Sequence, residues 1–129
     1  MARADRATVD ARHQAKVDRI VAQLRAHEPG TPVSLKKAAP PHSVPKWNDV
    51  RRDDKKIDVS DLTEILEIDP VGRRCVAESG VMFDDLVEAT LRHGLVPKVV
   101  PELKSITVGG AVTGCSLESM SFQYGGFHD

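Results

Sequence analysis

Apolar positions change their spacing several times along the chain, and each change marks an element. Val9, His13, Val17, Ile20, Val21 and Leu24 recur at steps of three and four, so residues 8–27 predict one amphipathic helix with Arg and Asp on its other face. Glu28-Pro29-Gly30 supplies its stop, and a short strand is expected at 32–35. Residues 36–54 are polar and proline-rich, too long for a simple connection, and loops of that length are functional or disordered as a class. Ile57 and Val59 suggest a further short strand. Residues 66–68 and 75–79 read as strands of a hairpin turning through Asp69-Pro70-Val71-Gly72-Arg73. A compact helix is expected over 82–93, with Phe83, Leu86, Val87, Thr90 and Leu91 on its buried face. Asp84, Asp85 and Glu88 favour its first half, and Gly94 closes it in a left-handed conformation. Residues 95–100 form an extended return that Pro97 and Pro101 keep out of a central strand position. The order of elements is that of an α+β fold.

Composition narrows the class without naming a chemistry. The chain has 129 residues, 40% hydrophobic and 29% charged, which suits one soluble globular domain with a real core. Aromatics are only 4%, so the core is expected to rest on Val, Leu, Ile and Ala. A net charge of -1 gives no reason to expect nucleic acid or an anionic membrane as partner. No apolar run approaches the ~20 residues of a transmembrane helix, and the first residues lack the apolar centre of a signal peptide, so a cytoplasmic location is expected. Cys75 and Cys115 have no metal-site spacing and are read as buried thiols in a reducing compartment.

The candidate chemistry lies in Thr107-Val108-Gly109-Gly110-Ala111-Val112-Thr113-Gly114-Cys115-Ser116-Leu117-Glu118-Ser119. Glycine lets backbone approach a ligand closely, and successive backbone N–H groups in a loop make a concave anion trap. A glycine loop seating a pyrophosphate is therefore expected. On the motif alone, a glycine-rich turn without a ligand is an equal reading. The spacing is neither a dinucleotide fingerprint of the βαβ kind nor a Walker loop. Glu118 and Ser119 are expected to bond backbone or cofactor, since no histidine is placed to activate the serine. His42 reads as a solvated loop histidine, His93 as a cation at a helix C-terminus, and His128 as part of the terminal residues. The charge run 49–56 reads as a solvated loop, and Trp47 as a local packing anchor.

Several of these segments, in order, carry a family resemblance. A strand and a lysine-bearing loop precede Asp61-Leu62 and Ile65-Leu66-Glu67-Ile68-Asp69. Gly80-Val81-Met82-Phe83-Asp84-Asp85-Leu86, Gly94-Leu95-Val96-Pro97 and Thr107-Val108-Gly109-Gly110 follow. This order resembles the FAD-binding domain of the vanillyl-alcohol oxidase and p-cresol methylhydroxylase type (PCMH-type). The strings 100–103, 107–110, Glu118-Ser119 and Tyr124-Gly125 are most similar to its delta(24)-sterol reductase branch. The resemblance implies a PCMH-type FAD-binding domain, here its first subdomain and the start of the second. It implies an N-terminal helix over 1–28 and a partial FAD domain over 29–129. Carried over, it places Thr107, Val108, Gly109, Gly110, Ala111, Val112, Gly114, Ser116, Glu118 and Ser119 along the pyrophosphate and ribityl chain of FAD. In the earlier loop, Ala39-Pro40-Pro41-His42-Ser43 stands where the family has Arg-x-Gly-Gly-His-Ser, and two prolines remove N–H donors. Lys37 and Ser43 are the contacts expected there instead. The implied activity is flavin-dependent hydride transfer through N5, to or from an unsaturated or hydroxylated substrate. The family's catalytic groups lie in a substrate domain that these residues do not include, so no catalytic residue and no metal ligand is assigned. The alternative is a non-catalytic remnant, or a half-module that needs a separately encoded partner and leaves apolar surface bare without it.

Overall fold

The first amphipathic stripe becomes helix α1, Arg6–Arg25, in a computed structural model that describes residues 6–40, 47–48 and 55–127. The chain divides into two compact units, Met1–Leu62 and Thr63–Asp129. In the first, strands β1 (Ser34–Lys36) and β2 (Lys56–Asp58) pair in parallel, with Leu35 opposite Ile57. No residue of α1 is fully buried, so the helix is held by polar contacts as well as by its thin apolar stripe. Arg19 donates to the Asp58 carbonyl at 2.8 Å and pairs with the Asp61 carboxylate. Gln23 accepts from the Asp58 amide at 2.8 Å and donates back to its carbonyl at 3.3 Å.

Asp58 is the hub of that unit. Its carboxylate takes Lys36 Nζ at 2.8 Å, the Ser60 amide at 3.0 Å and the Ser60 hydroxyl at 2.5 Å. The Lys36 contact foremost, then Ser60, holds the carboxyl well below its ordinary value. β1 and β2 are thus fastened by a cross-strand ion pair at a register position, Lys36 against Asp58.

The second unit begins with an antiparallel hairpin, β3 (Ile65–Asp69) and β4 (Arg74–Ala77). Its turn is set by Asp69, whose carboxylate accepts the Val71 and Gly72 amides at 3.1 and 2.9 Å. The Gly72 bond foremost lowers the Asp69 pKa. Helix α2 (Phe83–Leu91) follows, shorter than the expected 82–93, and Gly94 closes the turn beyond it in the expected left-handed conformation, φ 69°. The prolines of the extended return keep 95–100 out of both sheets. Two short helices complete the unit, α3 (Val108–Thr113) and α4 (Ser121–Tyr124).

The core of this unit is Val81, Phe83, Leu86 and Ala111, with Ile65, Ala77, Ile106, Val108 and Phe127 packed around it. An aliphatic core was the expectation from so few aromatics. The core is mostly that, with Phe83, expected on the buried face of its helix, 1% exposed and edge-to-face with Phe127 at 5.0 Å. One buried ring covers more area than any aliphatic side chain, so few suffice.

Three expectations are corrected. The glycine loop is a helix: Thr107 is extended (φ -93°, ψ 156°) and its side chain accepts the Gly110 amide at 3.2 Å, the geometry of an N-cap. Cys75 and Cys115 are free but exposed rather than buried. β4 shows Arg74, Cys75 and Val76 outward, and Cys115 follows the end of α3 on its open side; partial desolvation still pushes the Cys75 thiol up. Trp47, expected to anchor local packing, is 94% exposed.

α3 is set tightly on the segment leaving the hairpin. Met82 and Thr107 form an antiparallel bridge, the Val108 amide donates to Val81 O at 2.9 Å, and the Gly109 amide to Ser79 O at 2.8 Å. A Cβ on Gly109 would lie 2.8 Å from Ser79 Cβ and 3.0 Å from Ser79 O, whereas one on Gly110 meets only Thr107 Oγ1 at 3.1 Å. Gly109→Ala is therefore expected to cost about 1–3 kcal/mol through overpacking. Gly110→Ala should stay within about 1 kcal/mol, because gained helix propensity offsets the tighter contact. Urea unfolding of the two variants, followed by the NMR signals of 63–127, checks the contrast; equal losses would contradict it.

A second prediction concerns acid. The ionised form of Asp58 is favoured by folding, so its contribution is present above the ordinary carboxylate value of 3.8 and is lost as pH falls toward the lower folded value. The urea midpoint read from β1 and β2 amide signals should fall between about pH 5 and about pH 2. Asp58→Asn should lower the midpoint at neutral pH and flatten that dependence.

Candidate functional site

The candidate residues fall into a layer that builds the second unit and a layer that faces outward. Thr107 is buried as the N-cap, Ala111 is fully buried in the core, and Val108, Gly109 and Gly110 are half-buried. Their amides are committed within the protein: Val108 to Val81 O, Gly109 to Ser79 O, Gly110 to Thr107 Oγ1 and Ala111 to Thr107 O. The double glycine is thus not an open amide trap. It is the place where one backbone comes close enough to another for the helix to dock.

The outward layer starts at Val112. Val112, Thr113, Gly114 and Cys115 are exposed, Ser116 and Glu118 half-buried, Leu117 and Ser119 exposed. Cys115 adopts φ 50°, and the next amide, Ser116 N, reaches back to Ala111 O at 3.0 Å. That is the long bond of a Schellman stop, with cysteine where glycine is usual. Beyond it the chain is pinned at alternate residues. Glu118 N donates to the Ser121 hydroxyl oxygen at 2.9 Å, and Phe127 N donates to Ser116 O at 3.1 Å. Among the described residues no acceptor takes the amides of Leu117 and Ser119, nor a partner the hydroxyls of Ser116 and Ser119. These are donors turned outward on a segment fixed at both ends.

Lys37 lies in the first unit, exposed just after β1, and Ser43, like His42, His128 and residues 49–54 of the charge run, lies outside the described residues. Two groups carried no signal in the sequence. Ser79 and Val81 supply the acceptors for the double glycine, across a separation that no local pattern reveals. Val96, Lys98, Val100, Met120 and Tyr124 meet beside Ser119 in an open cleft of about 440 Å³. Lys98 Nζ there lies 5.6 Å from the Tyr124 ring centroid. Among the described residues no cluster of His, Cys, Asp and Glu is arranged to hold a metal, and no helix is long and apolar enough to cross a membrane.

The sequence matches the FAD binding domain family over residues 6–129. It is 40% identical over 72 residues to a delta(24)-sterol reductase homolog of Caenorhabditis elegans, covering 56% of this chain and 14% of that protein. It is 37% identical over 70 residues to the decaprenylphosphoryl-beta-D-ribose oxidase of Mycolicibacterium smegmatis, covering 54% of this chain and 15% of that one. It is 28% identical over 120 residues to the delta(24)-sterol reductase of Pisum sativum, covering 91% of this chain and 21% of that one. The chain therefore spans no more than 21% of the length of these relatives. No solved structure matches. With the match running from α1 through the double glycine to α4, the chain belongs to the FAD binding domain family, and FAD is its cofactor.

Proposed function

We propose that this chain is the FAD-binding portion of a flavin-dependent oxidoreductase resembling delta(24)-sterol reductase. The observation that carries the reading is the row of outward donors after α3, the amides of Leu117 and Ser119 and the hydroxyls of Ser116 and Ser119, within a segment that matches the family. Neutral N–H and O–H donors suit a diphosphate and the hydroxyls of a ribityl chain. The residues present fit the group on this side of α3 rather than at its start.

In this reading the candidate set divides its labour. Thr107, Val108, Gly109, Gly110 and Ala111 hold the helix in place from below. Val112, Gly114, Ser116, Glu118 and Ser119 form the contacting edge. The missing side chain of Gly114 serves the end of α3, where a Cβ would meet Gly110 O at 2.8 Å, so its part in the edge is that of exposed backbone. Lys37 and Ser43 belong to the proposal as contacts from the earlier loop. When bound, FAD supplies hydride transfer through N5, to or from an unsaturated or hydroxylated substrate. These residues bind and orient it, and the groups that touch substrate belong to other parts of such an enzyme. A cytoplasmic location is part of the proposal, supported by two exposed, unpaired thiols.

Titrating the purified chain with FAD should give saturable changes in the flavin spectrum and amide shifts centred on 114–119. Ser119→Pro removes two outward donors, the amide and the hydroxyl, and should weaken binding about tenfold or more. An absence of saturable binding at high micromolar FAD would overturn the reading for this chain alone.

A second reading, a half-module completed by a separately encoded partner, is favoured by one observation. Leu103, Val112, Leu117 and Phe122 are between 45% and 85% exposed on a single unit. Apolar surface of that kind marks an interface when it is contiguous. The chain alone is then expected to self-associate, and sedimentation across a concentration series checks this; a monodisperse monomer throughout would remove the reading.

A further inference from the structure

We propose that the cleft between residues 96–100 and 119–124 is a binding site for an amphiphilic anion, an alkyl chain ending in a carboxylate or phosphate. The cleft is concave, about 440 Å³, within the range of small-molecule sites. Its walls are apolar: Val96 and Val100 from the extended return, Met120 and Tyr124 from the turn and helix across it. Pro97 stiffens one wall, so that wall is set before any ligand arrives. The other is fixed by α4 and by Gly125, whose φ of 81° turns the chain directly after Tyr124.

The charge at the cleft decides the class of ligand. Lys98 is the one ionic side chain among the lining residues, all of which are described, and none of them is acidic. No carboxylate among the described residues pairs with Lys98; its ammonium rests over the Tyr124 ring, 5.6 Å from the centroid. A cation held only by an aromatic face keeps its capacity for an anion. Ser119 brings an unpartnered hydroxyl to the same rim. An anionic head therefore meets Lys98 and Ser119 while its chain lies along Val96, Val100 and Met120. A neutral amphiphile would bury the same carbon but leave the ammonium unused. A cationic one would sit against a like charge.

The inference shares Ser119 with the cofactor reading, but none of its readouts uses FAD, so the two can fail separately. The labelled chain is titrated, without FAD and below micellar concentrations, with octanoate, octyl phosphate, octyl glucoside and octyltrimethylammonium. Octanoate, octyl phosphate or both should give saturable shifts at Ser119, Met120 and Tyr124, about tenfold tighter than the glucoside. The cationic ligand should be weakest. Which anion binds more tightly identifies the head group. Lys98→Gln should abolish the anion preference without changing glucoside binding, and Lys98→Arg should keep it. Lys98 is exposed, so both variants are expected to retain wild-type amide spectra. Equal affinity for all four ligands, shifts elsewhere, no saturation, or an anion preference that survives Lys98→Gln would each overturn the proposal.

Discussion

The second unit depends on one close approach, backbone against backbone, where the Gly109 amide meets the Ser79 carbonyl at 2.8 Å. The bond itself is ordinary. Its consequence is steric: there is no room for a Cβ, so the hairpin exit and the start of α3 can share a line only if position 109 carries none. From that contact the rest follows in sequence. The Met82–Thr107 bridge sets register, Thr107 caps the helix, and Ala111 then faces Phe83 and Leu86 at zero exposure. The opposite side of the same short helix is left to point outward. A six-residue helix with two glycines has little stability of its own. It persists because its first amides are bonded and its buried face is in the core.

The two units are held by different physics. In the second, stability comes from apolar packing around Phe83, with hydrogen bonds fixing direction. In the first, only Ala39 and Ile57 are buried hydrophobics among the described residues, and order comes from a polar clasp of Arg19, Gln23, Lys36, Asp58, Ser60 and Asp61. An exposed ion pair contributes little alone; here Arg19, Gln23 and Asp58 also bond backbone through their side chains, so the geometry is shared among several contacts. That arrangement is sensitive to acid in a way that an apolar core is not. Parallel pairing of two short strands is itself weak, which makes the Lys36–Asp58 bond across the register more consequential than its exposure suggests.

Much of the fold was legible because it is local. The stripe from Val9 to Leu24, the turn chemistry of Asp69-Pro70-Val71-Gly72 and the stop at Gly94 each specify their element within a few residues, and each element formed. What the sequence hid was pairwise. Nothing near Gly109 says that Ser79 will oppose it, so the glycines read as freedom for a loop when they are absence of bulk under a helix. The cysteines misled for a related reason. Burial depends on whether a second layer covers the strand, and β4 shows Arg74, Cys75 and Val76 to solvent. The aliphatic core was legible, with Phe83 on the buried face of its helix; that Phe127, distant in sequence, packs against that ring was not.

The same distinction bears on what the glycines mean for a ligand. If the double glycine offered its amides to a phosphate, binding would compete with the bonds that hold α3, and the helix would loosen as the ligand arrived. In the proposed reading that conflict does not arise, because the two tasks fall on separate stretches. Positions 108–111 spend their amides on the protein, and positions 116–119 hold theirs alternately inward and outward. The edge proposed to bind is preorganised, since Ser116 and Glu118 are already tied to Ala111, Phe127 and Ser121. If 116–119 hold the cofactor as proposed, the glycines serve recognition indirectly: by letting the helix sit close to the hairpin exit, they fix where the next turn of chain presents its donors.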